Sequence, residues 1–127
     1  TRDLNTERSD AGGHAALSSN QITLAAGTYY VKASEPGIRL DRHQTRLYNI
    51  TDGSTTVIGT PAFSENTGSG YTQNRSHING QITLADSKTL ELQRRCEITY
   101  ATTGLGVEAN FGETEIYAVV ELWRLGD

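Results

Sequence analysis

The side chains best suited to chemistry are scattered along this sequence rather than gathered. His14, His43 and His77 lie far apart, and none stands at a spacing that would hold a metal. His43, at the start of an apolar-alternating run, reads as a packed or hydrogen-bonded histidine rather than a base. Serine and histidine are both present, yet no G-x-S-x-G nucleophile elbow occurs. The single Cys96 follows Arg94 and Arg95, which can lower a thiol pKa. In an amphipathic strand, though, a free cysteine reads as a small core residue. No glycine motif is built to cradle a phosphate. Asn49-Ile50-Thr51 and Asn74-Arg75-Ser76 match the glycosylation sequon, a pattern short enough to arise by chance. The chemistry expected is therefore binding, not catalysis.

Three sets of residues could bind. Asp52, Asp86 and Glu113 sit in short turns, and carboxylates gathered near a symmetry axis could hold Ca²⁺. Turn aspartates more often close their own turn, and Lys88 would oppose a cation, so no metal is expected. The longest loop, residues 60–71, mixes small polar residues with Phe63 and Tyr71. Aromatics offer flat contact area and amides offer hydrogen bonds, which makes Phe63, Asn66, Tyr71, Asn74 and Arg75 the candidate receptor-binding residues. The alternative is a connector with its aromatics tucked into the fold. Arg39, Arg42, Arg46, Arg75, Arg94 and Arg95 form the third set. They read as solvated or as intersubunit partners of Glu91, Glu97 or Glu121, with an anion or sugar-acid site as the alternative.

The elements that must position these residues are strands. With 127 residues, 35% hydrophobic and 20% charged, the chain has room for one domain and enough apolar content for a core. No apolar run approaches the roughly 20 residues of a membrane helix, so membrane insertion is not expected. A net charge of −4 and a pI near 5.3 argue against a nucleic-acid surface. One cysteine allows no intrachain disulfide, and the absence of Met with Thr1 leading points to a processed chain or a module of a longer one. Runs rich in Thr, Tyr, Ile, Val and Leu, broken by Gly, Asp, Asn and Pro, predict strands at 21–24, 28–34, 43–50, 55–59, 71–84, 89–99, 107–111 and 115–125. Residues 10–17 offer a short helical turn weakened by paired glycines. Asp52-Gly53 is a hairpin signal, and Glu35-Pro36-Gly37 reads as a turn. The predicted class is an all-β, antiparallel two-sheet jelly-roll sandwich at 21–127, preceded by an N-terminal arm or linker at 1–20. The pentapeptide at 21–25 recurs letter for letter at 81–85, which fits equivalent corners in two related halves.

Strand faces carry the functional inference. In 89–93 the alternation predicts Leu90 and Leu92 inward, with Thr89, Glu91 and Gln93 wet. The last strand differs. Ile116, Ala118, Val120 and Leu122 share one face, and Tyr117, Val119, Trp123 and Leu125 the other. A sandwich strand apolar on both sides needs an outer cover, and further copies of the subunit supply it. The expected oligomer interface is Tyr29, Val31, Tyr117, Val119, Trp123 and Leu125. Alternating strand direction then places the turns at 52–54, 85–88 and 112–114 at one end. The loops at 36–41, 60–70 and 101–106 take the other end, with the C terminus.

The run 26–31 (AGTYYV), Leu47-Tyr48-Asn49 with Asp52-Gly53, and the closing 117–123 (YAVVELW) resemble strands of the C1q/TNF-like jelly-roll family. Residues 42–49, 90–96 and 115–123 are similar to such modules at the ends of bacteriophage tail-fibre and related bacterial surface proteins. The aromatic-Gly-Phe ending of the animal members is not evident. The resemblance implies a non-enzymatic homotrimer with its N terminus toward a stalk and a head displayed on a virion or extracellular appendage. Its partners would be a host-surface glycan or protein and other virion proteins. The alternative is a virion decoration protein, a capsid or tail cement anchored by its N-terminal arm.

Overall fold

The computed structural model describes residues 2, 4, 6, 7, 10, 12–67, 70–98, 104, 106 and 109–126. Its strands are β1 (Ala15–Ser18), β2 (Gln21–Leu24), β3 (Gly27–Ile38), β4 (Asp41–Asn49), β5 (Ser54–Ser64), β6 (Asn66–Thr67), β7 (Gly70–Tyr71), β8 (Gln73–Leu84), β9 (Lys88–Cys96) and β10 (Val119–Gly126). One sheet has the order β1-β2-β9-β4-β5, a second β10-β3-β8, and β6-β7 is a small separate ladder. Every pairing is antiparallel. No helix occurs among the described residues. The protein is thus all-β, with two antiparallel sheets packed as a sandwich.

Alternation sets what lies between the sheets. Ile22, Leu24, Leu47, Leu90 and Leu92 from the larger sheet meet Tyr29, Val31, Ala33, Ile78, Ile82 and Leu84 from the smaller one. A fully buried side chain of this kind contributes about 1.5–3 kcal/mol, so this row of contacts is the main source of stability. The two copies of the repeated pentapeptide take matching places in opposite sheets. Ile22 and Leu24 face Ile82 and Leu84 across the core, and each copy adds a cross-strand threonine pair, Thr23–Thr89 at 3.0 Å and Thr83–Thr28 at 3.2 Å.

The sheets are also stitched along the β5–β8 side. A register shift in the β4–β5 ladder at Thr45 frees that residue's N–H, which donates to Ser76 Oγ of the opposite sheet at 3.0 Å. Ser76 Oγ donates in turn to the Thr60 carbonyl at 2.6 Å. Gly59 makes this closeness feasible, because a Cβ there would lie 2.8 Å from the Thr45 carbonyl oxygen and 3.1 Å from that of His77.

Several sequence expectations are corrected. Glu35-Pro36-Gly37 is not a turn; it continues β3, paired with residues 74–76 of β8. Proline is tolerated there because β10 pairs no further than Ser34, leaving β3 with a neighbour on one side only. Residues 109–118 are not strand, and 107 and 108 lie outside the described residues, so the last strand begins at Val119. Losing one predicted strand reverses the parity, and Gly126 pairs with Thr28 at the end opposite the long loops. The helical turn at 10–17 gives way to β1, which pairs with β2, and Arg2 donates its N–H to the Leu92 carbonyl at 2.8 Å. The described residues of the expected N-terminal arm therefore lie on the sandwich at both ends of that segment. Glu91 is buried rather than wet, since Gln21 and Gln93 donate to its carboxylate across the sheet surface.

Candidate functional site

The outer face of β3 and β10 departs from a solvated sandwich face. Trp123 sits opposite Tyr30 in the ladder, with ring centroids 6.1 Å apart and planes tilted by 48°. Trp123, Leu125 and Tyr30 are 47%, 55% and 39% exposed. Alternation makes this unavoidable. Ala118, Val120 and Leu122 turn inward against the core, so their neighbours must turn out. The strip is rimmed by Lys32, Asn79, Gln81 and Glu121 on the same face. Of the six residues expected at an interface, Trp123 and Leu125 are on this strip, and Val119 and Tyr117 are half-buried. Tyr29 and Val31 are not on it. They point into the core at 2% and 0% exposure, because the outward member of the Tyr29-Tyr30 pair is Tyr30.

The long loop carries a short ladder of its own. β5 leads into the β6-β7 ladder, where Asn66 pairs with Tyr71, and β8 leads out. Phe63 is exposed, and Asn74 Nδ2 donates to its carbonyl, so Phe63, Asn66, the Tyr71 backbone and Asn74 come together at one end. The Tyr71 side chain lies outside the described residues. Arg75 does not belong with them. Its guanidinium turns toward β3 and donates to Ser34 Oγ at 3.0 Å and to the Tyr117 carbonyl. The loops at 36–41 and 60–70 do share this end, as expected. Leu40 N–H donates to Ser64 Oγ at 3.3 Å, and Ile38 N–H to the Gly104 carbonyl at 3.2 Å.

At the opposite end Asp52 and Asp86 do meet, but around a cation already present in the chain. Lys88 Nζ lies 2.8 Å from Asp52 and 3.0 Å from Asp86, and these carboxylates hold its ammonium above the ordinary lysine range. Glu113 is not with them, since it precedes a strand that starts at the loop end. Among the described residues no group of three or more His, Cys, Asp or Glu could hold a metal ion.

The densest charge cluster is one the sequence reading missed. Inward positions change character along four strands at the loop end. β3 runs Tyr29, Val31, Ala33, then Glu35; β9 runs Leu90, Leu92, then Arg94; β4 runs Leu47, Thr45, His43; and β8 runs Ile82, Ile78, Ser76. Glu35 is fully buried, 3.1 Å from Arg2 Nε and 3.5 Å from Arg94 Nε. Arg94 also donates to the carbonyls of Pro36 at 3.0 Å and Gly104 at 3.3 Å. Burial pushes the Glu35 carboxyl up to about 7 against the pull of Arg2, Arg94 and Arg75. His43 is buried beside Gly37, and loss of solvent, with Arg94 and Arg2 adding to it, lowers its pKa. Neither of its ring nitrogens has a hydrogen-bond partner. The signal for Glu35 was available: it continues the odd-numbered row of Tyr29, Val31 and Ala33. The Glu-Pro-Gly turn signature hid it. Of the arginine set, Arg42 pairs with Glu97 within the chain rather than across subunits.

The chain matches no protein-family model and no curated protein sequence.

Proposed function

We propose that this chain is the trimeric head of a phage tail fibre or similar surface appendage, a non-enzymatic module that binds a host-surface glycan or protein. Its fold would be the C1q/TNF-like jelly roll. That reading is supported by the strand order, because every connection between β2 and β10 crosses from sheet to sheet except at the β4–β5 hairpin and the β6-β7 ladder.

One observation carries the proposal: the exposed Tyr30–Trp123–Leu125 strip on the smaller sheet. Large aromatic and aliphatic side chains at the centre of a polar-rimmed sheet face are what an interface between identical subunits buries. Three copies around an axis cover that face on each sheet and point three loop-end hairpins the same way, so individually weak contacts act together. Arg2 and β1 contact their own sandwich, which favours the head over a decoration protein anchored by a free arm.

Sedimentation equilibrium tests the assembly. The expected mass is three times 13.8 kDa, falling to one chain in Trp123→Asp with its thermal midpoint otherwise preserved. A wild-type monomer at micromolar concentration rejects the assembly. For adhesion, Phe63→Ala combined with Asn66→Ala should abolish cell binding while leaving the trimer mass intact. Retained binding removes the hairpin as the receptor site.

A further inference from the structure

The outer face of the larger sheet carries a second recognition surface. Successive outward residues of β4 and β9 stand opposite one another as Gln44–Arg95, Arg46–Gln93 and Tyr48–Glu91, and Ile58 of β5 stands opposite Arg46. Together Gln44, Arg46, Ile58, Gln93, Arg94 and Arg95 line a shallow basin of about 300 Å³. Arg94 belongs to the interior, where it meets Glu35. The other two guanidinium groups have no carboxylate partner among the described residues. The nearby acids are committed elsewhere, Glu97 to Arg42 and Glu91 to Gln93 and Gln21. From Ser54 to Ser64, β5 carries no charge at all.

The basin is also built in advance. Arg46 Cζ lies over the Tyr48 ring, 4.4 Å from its centroid, with Nε donating to Gln93 Oε1 at 2.8 Å and one terminal nitrogen to Thr55 Oγ1 at 3.0 Å. Gln44 is held by donating to the Gly59 carbonyl at 2.8 Å. Arg95, exposed at the rim, is the cation left to meet a ligand. An acidic protein has placed two uncompensated guanidinium groups, two amides and an exposed isoleucine on one patch.

We infer that this basin binds a single carboxylated sugar residue of a surface polysaccharide. The carboxylate suits the planar guanidinium fork, hydroxyl groups suit the amides of Gln44 and Gln93, and the C–H face of the ring suits Ile58. A volume at the lower limit of ligand pockets fits one monosaccharide unit. The site lies on the sheet opposite the Trp123 strip, so it operates in a monomer as in a trimer and does not depend on the assembly proposed above.

The test is an NMR titration of the ¹⁵N-labelled protein with glucuronate, galactose and inorganic phosphate in parallel. Glucuronate is expected to shift the side-chain amides of Gln44 and Gln93, with galactose and phosphate each at least about tenfold weaker. Arg95→Gln, an exposed substitution that leaves the fold intact, lowers glucuronate affinity about tenfold. Gln44→Ala weakens it independently. Phosphate binding as tightly as glucuronate overturns the sugar assignment in favour of a bare anion. Absent shifts at Gln44 and Gln93, or an unchanged affinity in Arg95→Gln, overturn the site itself.

Discussion

Glu35→Gln keeps the size and shape of a fully buried side chain and removes its titration. In the folded protein the carboxyl is raised from 4.5 to about 7 by burial. Between those values the native state holds a proton that the unfolded chain has already released. Stability is therefore greatest below about pH 4.5 as far as this group is concerned, and it declines as pH rises toward 7. A shift of roughly 2.5 units at about 1.36 kcal/mol per unit gives about 3 kcal/mol lost across that window. His43 acts in the opposite sense. Its lowered pKa makes it bind a proton less readily when folded, so its contribution rises with pH up to about 6.5. Comparing wild type with Glu35→Gln by urea unfolding at a series of pH values cancels most of that contribution, because both proteins keep His43. The expected result is a difference that moves toward the variant by about 3 kcal/mol between pH 4.5 and 7.5. A difference that moves the other way would show that Arg2 and Arg94 outweigh desolvation and that the carboxylate is held ionised. The reasoning from burial would then be wrong.

Other consequences follow from the same structure. Arg94→Met removes a cation between Glu35 and two carbonyls, and should cost about 3–5 kcal/mol in urea unfolding at neutral pH. The loss should be smaller in the Glu35→Gln background, since the buried carboxyl that Arg94 shares with Arg2 is then absent. Gly59→Ala places a methyl group against the Thr45 carbonyl backbone and should lower stability by about 1–3 kcal/mol, read as a fall in the urea midpoint at constant slope. Lys88→Met breaks only the surface pairs to Asp52 and Asp86 at the turn end and should leave the urea midpoint essentially unchanged. Because Lys88 sits between Asp52 and Asp86, millimolar Ca²⁺ should leave the wild-type thermal midpoint unmoved.

Strand existence was readable wherever one face is apolar and the other polar. β2, the first half of β3, β4, β8 and most of β9 follow that alternation; on β9 the inward pair Leu90 and Leu92 was foreseen, whereas on β3 Tyr29 and Val31 were expected on the outer face and lie in the core. Reading failed where two local signals competed. Glu35-Pro36-Gly37 has turn chemistry, but the ladder to β8 persists through it, since a proline facing an unpaired side loses no ladder hydrogen bond. Residues 109–111 alternate like a strand, yet nothing pairs with them, and strand identity depends on a partner that sequence does not name. Glu91 shows a related limit. Its position on the outer face was right, but glutamine side chains cover it, Gln21 from the neighbouring β2 and Gln93 from two residues along β9, and the first of these depends on register rather than on periodicity. The apolar strip was foreseen at Trp123 and Leu125. Tyr30 was displaced by its neighbour, because two adjacent tyrosines leave the choice of inward residue to the register of the rest of β3.

The interior joins two different kinds of core along the same strands, and this bears on where function is placed. Toward the turns at 50–53 and 85–87 the inward residues are aliphatic, and their stability is indifferent to pH. Toward the loops the inward residues are Glu35, Arg94, His43, Ser64 and Ser76, and the pairings among them and with Arg2, Thr45 and Leu40 need several segments in register at once. Removing Glu35 strips Arg2 and Arg94 of their buried carboxylate, and removing Ser76 strips the Thr45 N–H of its acceptor, so that end tolerates little change beneath its surface. The β5–β8 loop leaves from this layer at Ser64, whose Oγ accepts the Leu40 N–H. On the proposed reading, variation in recognition would fall on exposed residues such as Phe63 and Asn74, while the buried polar layer holds their base. An exchange of the whole segment 65–72 should accordingly preserve the urea midpoint, whereas substitution of Ser64 or Ser76 by alanine should lower it by about 1–3 kcal/mol through the donors and acceptors left unsatisfied. Equal tolerance at both sets would mean that the buried polar layer does not support the hairpin.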